Sequence, residues 1–435
     1  MGKKKIVIIG AGPGGYVAAL RAAALGGEVT VIEKEHPGGT CLNWGCIPSK
    51  IMKTSADIYL KLKEADEFGI KVEGGVLPDM AAIMTRKNRI VETQRKGILS
   101  LLQNSKVTFE QGRGYIKDSG IALVISMDVD GNQKIKEIPF DALVIATGTV
   151  PLNIPAFPFD GDSILSSNDL LNLNKIPESI VIVGGGVIGC EFACILSALG
   201  SNVIVVEAMS RLLPLPSVDE SCSVILQREM KKRKIKFITD MVVEKAEKNN
   251  GKLIVTLGVS PFADKATVEK ITKAGNQLQI IETDKMAVCI GRSPLSLDLG
   301  LENIGLTTNE KGWIDVNDKM ETSIKGVYAI GDILGPQRIM LAHVASHEGM
   351  IAAQNAMGGE AVMSYHAVPG AIFTMPEIGN VGLTETGAKA QGIDVTCVES
   401  KHKTVWTGQT TVGIKGQLLP YPIVFEVTER YEKKG

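Results

Sequence analysis

Short apolar runs alternate with glycine-marked turns from the start of the chain. Ile6–Ile9 is an uninterrupted apolar run and reads as a buried strand. It leads into Gly10, Gly12 and Gly15, then an Ala-rich helix, then a second strand that ends at Glu33. The succession returns in "SIVIVGGGVIGCEFACILSALGSNVIVVEAM": an apolar run, Gly184, Gly186 and Gly189, a helix, and a strand ending at Glu207. Asp141–Thr149 and Val327–Ile333 are further short apolar strands that end in a glycine turn. Lys87–Ser105 reads as a helix charged on one face. Between residues 240 and 290, alternating runs and the pair Asn250–Gly251 signal hairpins. Strands alternating with helices predict an α/β chain with two Rossmann-like dinucleotide-binding domains.

Each G-x-G-x-x-G lies between a strand and a helix, the context that gives the motif its meaning. The first glycine makes the tight turn, the second admits a pyrophosphate to the backbone, and the third lets helix and strand pack closely. The helix N-terminus then faces the phosphates. Glu33 and Glu207 stand equally far beyond Gly15 and Gly189, placed to accept from ribose hydroxyls. Two such units imply two dinucleotides. A carboxylate at Glu207 repels a 2′-phosphate and favours NAD over NADP. Arg211 is near enough in sequence to oppose that, unless it is engaged elsewhere. Asp332, after Gly331, could reach a cofactor sugar or simply cap a helix. Glu191, just inside the second helix, could reach a cofactor or favour the helix dipole.

Composition narrows the class. With 435 residues, two to four domains are expected. Hydrophobic content of 44%, charged content of 22% and a net charge of −1 give no global reason to bind nucleic acid or a membrane surface. No apolar run is long enough for a membrane span, and the N-terminus lacks a signal-peptide pattern. The seven cysteines are scattered and odd in number, unlike an extracellular disulfide framework, so a reducing cytoplasmic compartment is expected. In "GGTCLNWGCIPSK", Cys41 and Cys46 could not meet on one regular helix, where such positions rise by about 7.5 Å and point about 140° apart. If they bond, the segment between them must turn irregularly, which Asn43 and Gly45 suit. "IPSK" resembles the first turn of a helix, where a thiol ionises more easily. Two inert thiols or half a metal site are the other readings. The spacing is poor for zinc, and no metal is expected.

The order of these elements carries a resemblance. A first glycine turn, "GGTCLNWGCIPSK", "ATGT", a second glycine turn and "YAIGD" together resemble the flavin-dependent pyridine nucleotide–disulfide oxidoreductases. Within that family "TCLNWGCIPSK" is most like the dihydrolipoamide dehydrogenase branch. The resemblance runs to about residue 395. It implies FAD on Gly10, Gly12, Gly15 and Glu33, with Asp332 contributing, and it counts Gly148 and Gly291 among the cofactor-binding residues. It implies NAD on Gly184, Gly186, Gly189 and Glu207. Cys41 and Cys46 would be a redox disulfide, with Cys41 exchanging with substrate and Cys46 next to the flavin. Lys50 would sit near the flavin, paired with Glu191. The implied organisation is an FAD-binding domain at 1–149, an NAD-binding domain at 150–282, a central region at 283–350 that completes the first, and a partial α+β dimerisation domain at 351–435. The implied partners are a second copy of the chain and a lipoyl domain of a 2-oxoacid dehydrogenase or glycine cleavage complex.

The chain also departs from that pattern. The family's interface domain supplies a His–Pro segment with a Glu a few residues on, as catalytic base. None of His36, His343, His347, His366 and His402 stands in such a segment. "AIFTMPEIGNVGLTETGAKAQGIDV" matches the start of the interface domain, but the residues after it do not. The expectation is a truncated, altered tail, as a shifted reading frame would give, rather than a remodelled interface. Leu295 in "GRSPLS" replaces the usual Asn. Lipoamide turnover should then be impaired, diaphorase activity retained and the dimer weakened. The alternatives are a glutathione, mycothiol or mercuric type reductase, or a flavin-carrying subunit without catalysis.

Overall fold

The computed structural model describes residues 2–275, 278–395 and the two-residue strand Val424–Phe425. The unmatched tail of the sequence reading, with His402 and Cys397, therefore lies outside the described residues. The chain forms two compact units. Among the described residues no helix is long and apolar enough to cross a membrane.

One unit gathers residues 1–48, 87–151 and 292–366. Its core is a five-stranded parallel sheet in the order Val327–Ala329, Ala142–Ile145, Lys5–Ile9, Glu28–Glu33, Thr108–Gln111. Ile6 registers with Val29 on one side and Ala142 on the other. Helices cover both faces of such sheets, which is why the central strands read as continuous apolar runs rather than alternating ones. Ile6, Ile8, Leu143 and Ile145 are fully enclosed. The Ala-rich helix Pro13–Ala24 lies against helix Ala342–Ala356 through small residues. A Cβ on Gly349 would stand 2.4 Å from the Gly14 carbonyl oxygen, so the two backbones are as close as glycine allows. A three-stranded antiparallel meander, Arg113–Asp118, Ile121–Met127 and Gln133–Pro139, completes this unit.

The other unit gathers residues 49–86, 152–291 and 367–435. It repeats the design: a parallel sheet ordered Lys236–Ile238, Asn202–Val206, Ser179–Val183, Lys285–Val288, Ile164–Ser166. Ile180, Val181, Ile182 and Val205 are completely buried. The expected hairpin is present: Met241–Asn249 pairs with Lys252–Val259 across Asn250 and Gly251, both at positive φ (47° and 81°), as a tight primed turn requires. The helix expected over Lys87–Ser105 spans Met80–Asn104. Its first turns precede the charged stripe from which it was read.

Candidate functional site

The strand Lys5–Ile9 delivers Gly10 at φ +106°, an angle only glycine takes without strain. A Cβ there would lie 2.3 Å from the Ala146 oxygen, and one on Gly15 would lie 1.9 Å from the Gly10 oxygen. The turn is thus packed backbone against backbone. Gly12 caps helix Pro13–Ala24 with no side-chain bond, and no acidic residue occupies the first turn. Unsatisfied amides and the positive end of the helix dipole are left for an anion. At the end of the next strand the buried Glu33 accepts from the Ala11 amide (2.7 Å) and the Glu35 amide (2.8 Å). Burial pushes its carboxyl above the ordinary range, against the pull of these bonds. A carboxylate offers about four acceptor positions, so hydroxyl donors still find a place.

The second cradle copies the first. Gly184 has φ +105°, and a Cβ on Gly189 would lie 1.9 Å from the Gly184 oxygen. Gly186 caps helix Val187–Leu199, again with no side-chain bond, and the space where its Cβ would stand is open. Glu207 accepts from the Gly185 amide (2.5 Å) and the Met209 amide (2.8 Å), the counterparts of Ala11 and Glu35. Arg211 is engaged elsewhere: its guanidinium donates to the carbonyls of Leu213 (2.8 Å) and Val218 (3.0 Å) and to the Ser223 hydroxyl. The cation that could have welcomed a 2′-phosphate is committed to its own loop.

Further polar groups gather in the first unit. Arg292 donates to the Thr149 hydroxyl (2.6 Å) and carbonyl (2.9 Å), and Thr149 donates to Asp332 at 3.4 Å. Burial raises Asp332 and lowers Arg292, while their opposite charges partly restore each other; the Cys46 sulfur also favours the Arg292 charge. Asp332 does not cap the short helix Gly331–Leu334, which has no side-chain cap. Gly148 and Gly291, at φ +65° and +147°, flank the paired strands Thr149–Pro151 and Arg292–Pro294. The Gly331 amide is held by Glu348 at 2.7 Å, and Glu348 also accepts from Tyr365 at 2.6 Å. Thr147 keeps a buried hydroxyl that no protein group satisfies. Two uncapped helix ends over Cβ-free turns, with an orphaned hydroxyl beside the first, fit the pyrophosphate and polar edges of bound dinucleotides.

The thiols flank a folded loop. Cys41 is half-buried within helix Gly39–Asn43, and Cys46, exposed, opens helix Cys46–Lys63. As expected, the backbone turns irregularly between the two cysteines: helix Gly39–Asn43 ends at Trp44 (φ −134°, ψ 17°), and Gly45 bends the chain before the next helix starts at Cys46. The left-handed angles fall just before the pair, on Gly38 and Gly39, at φ +92° and +53°. Asn43 is helical and serves through its side chain. Its Nδ2 donates to the Pro37 (3.1 Å) and Gly39 (2.8 Å) carbonyls, and its Oδ1 accepts from Arg95 Nε at 2.6 Å. Burial pushes Cys194 up to about 11 and Cys289 up to about 12, and Cys190 is raised as well, so these are protonated thiols.

In the second unit, Lys50 and Glu191 form a two-pronged ion pair (2.7 and 3.0 Å). The Phe373 amide donates to the same carboxylate at 2.9 Å, and the Lys50 ammonium lies 4.5 Å from the centre of the Phe373 ring. Farther along that helix, buried Lys53 contacts Asp57 and Glu377, both at 2.8 Å. Burial would lower Lys53, but the two carboxylates hold it above the ordinary lysine range. Arg292, Thr147, Asn43 with Arg95, and Lys53 were not singled out as site residues from sequence. Thr147, Asn43 and Arg292 each lie inside a quoted motif ("ATGT", "GGTCLNWGCIPSK" and "GRSPLS"), whereas Arg95 and Lys53 lie in none. His36, His343, His347 and His366 are all exposed.

A family model described as pyridine nucleotide–disulphide oxidoreductase matches residues 4–349, and a model of that family's dimerisation domain matches residues 368–415. The chain is similar to the dihydrolipoyl dehydrogenase of Chlamydia muridarum, 38% identical over 391 residues, which cover 89% of this chain and 78% of that protein. It is similar to the dihydrolipoyl dehydrogenase of Chlamydia trachomatis at 38% identity, with the same coverage of 89% and 78%. Among solved structures, LpdA from Mycobacterium tuberculosis superposes with a TM-score of 0.81 at 26% identity, over 94% of this chain and 84% of that one.

Proposed function

Since the chain belongs to the pyridine nucleotide–disulphide oxidoreductases, as a flavin enzyme of the dihydrolipoyl dehydrogenase type working with FAD and NAD, we propose that it oxidises dihydrolipoamide through a Cys41–Cys46 couple. The observation that carries this reading is the doubled cradle: two glycine turns, two uncapped helix ends and two carboxylates latched to equivalent amides. Residues 1–149 and 283–350 are assigned to FAD, residues 150–282 to NAD, and residues 351–435 to the subunit interface. Bound FAD supplies a two-electron relay between a dithiol and NAD.

The side chains divide the remaining work. Cys41 exchanges with the substrate sulfur, and Cys46, at a helix start, is favoured as a thiolate. Arg292 adds positive charge on the Cys46 side. Lys50, oriented by Glu191, is the cation assigned to balance negative charge on the reduced cofactor. Glu33 and Glu207 orient the two riboses. The partners in this reading are a lipoyl arm on a larger complex and a second copy of the chain, in a cytoplasmic setting.

These 435 residues hold no His–Pro segment followed by the Glu of the family base. Loss of a general base costs about 10²–10⁴-fold. Hydride exchange between NADH and bound flavin needs no such base. The expected result is a split: NADH-driven dye reduction persists while dihydrolipoamide oxidation is slow. Equal, high rates in both assays with the 435-residue chain would refute this part of the reading. Faster turnover of glutathione disulfide, mycothiol disulfide or mercuric ion than of lipoamide would move the substrate to that class.

A further inference from the structure

We propose that Arg95 is a positioning residue for the thiol couple: from helix Met80–Asn104 it holds Asn43, and through Asn43 it holds the Cys41–Cys46 loop in one geometry. The inference rests on the reading of that couple as the redox centre. Asn43 is only 5% exposed, and its amide is almost fully used. Both Nδ2 protons close the loop onto the Pro37 and Gly39 carbonyls, so the Oδ1 acceptor is what remains for an outside tie. Arg95 supplies it at 2.6 Å, a charge-assisted bond. The Arg95 side chain is only 21% exposed. Glu92 touches Arg95 only at 3.5 Å and does not compete for Nε.

The tie matters most in the reduced state. An S–S bond restricts the segment between its two cysteines, and breaking it returns conformational freedom to the chain. A loop that must keep Cys41 toward substrate and Cys46 toward flavin then depends on its non-covalent anchors. Asn43 lies between the two sulfurs in sequence and is bonded to a separate long helix, so it can hold the loop when the covalent link is gone.

The test is anaerobic reduction of the FAD-loaded protein with one equivalent of NADH, read as the long-wavelength absorbance of a Cys46 thiolate against flavin. Arg95→Met keeps the length and removes the donor. It should lose at least about half of that band and change the Cys41 alkylation rate by about three- to tenfold, as expected when a buried acceptor loses its partner. The rate of flavin bleaching by NADH should stay unchanged, and Arg95→Lys, which restores a cationic donor, should recover most of the band. A full band in Arg95→Met overturns the proposal. If that variant takes up no flavin, Arg95→Gln is read in the same way, and failure of both to bind flavin makes Arg95 a folding residue and also overturns it. Absence of the band in the unmodified protein would instead sink the Cys41–Cys46 reading itself.

Discussion

Asp160 shows how backbone donors can outweigh burial at a single carboxylate. Burial pushes Asp160 up, yet the amides of Ile164, Asp162 and Ser163 and the Lys248 ammonium hold it down at about 2. A carboxyl depressed in the folded state stabilises the protein above its ordinary titration range and loses that contribution as pH falls through the folded value. Asp160→Asn should therefore lower the urea midpoint most near neutral pH. The deficit should shrink between about pH 4 and pH 2 as the native carboxyl titrates. A deficit independent of pH would place its role in loop shape alone. At this scale, legibility from sequence followed chain distance. Glu33 and Glu207 were legible because strand, turn and carboxylate are contiguous. Arg95 on Asn43 and Arg292 on Thr149 were not, because each bond joins residues far apart in sequence and forms only when the chain closes on itself.

Glycine carries opposite meanings in two helices. Gly349, inside Ala342–Ala356, lets the helix approach the Gly14 carbonyl so closely that an added Cβ would stand 2.4 Å from it. Gly349→Ala should cost about 1–3 kcal/mol through overpacking. It should also weaken flavin retention, since the displaced partner helix carries the first phosphate turn. Gly97, exposed within Met80–Asn104, meets nothing within 4 Å. There Gly→Ala should stabilise by about 0.5–1 kcal/mol, because a helical glycine forfeits backbone entropy and nothing obstructs the methyl. Thermal unfolding of the two variants side by side tests both, and a shift of the same sign in each would refute the contrast. The elements themselves were mostly legible, since apolar runs and glycine turns have a local cause. The helix Met80–Asn104 began earlier than its charged stripe suggested, because "MAAIM" has no polar face to reveal the period. In the thiol loop the break between the cysteines fell at Trp44 and Gly45, as the sequence suggested, but the left-handed angles fell on Gly38 and Gly39, where closure against Gly12 leaves no room for a Cβ on Gly39.

At the scale of the whole molecule, two copies of one sheet design stand in separate units, each with its own glycine turn and latched carboxylate. The duplicated plan was readable because the motif and its spacing recur. The way three separate stretches of chain assemble each unit was not, because that depends on which strands find a sheet edge. Lys285–Val288, for instance, inserts between Ser179–Val183 and Ile164–Ser166. The dimerisation-domain match covers residues 368–415, and the altered residues near the end of the sequence lead to the expectation of a weakened homodimer. Sedimentation over a dilution series should then show dissociation at micromolar protein. A dimer that persists to nanomolar protein would contradict that expectation.

In the proposed function, the latch at Glu207 would tie coenzyme choice to structural integrity. Its carboxylate secures the amides on either side of the second turn, and the neighbouring guanidinium is locked into carbonyls of its own loop. Engineering this chain to accept the phosphorylated coenzyme could not proceed by neutralising one acid. Removing the acid would loosen the very loop that must grip the new ligand, and no spare cation stands ready in the described loop. A successful redesign would first rebuild the 207–218 segment and only then exchange the charge.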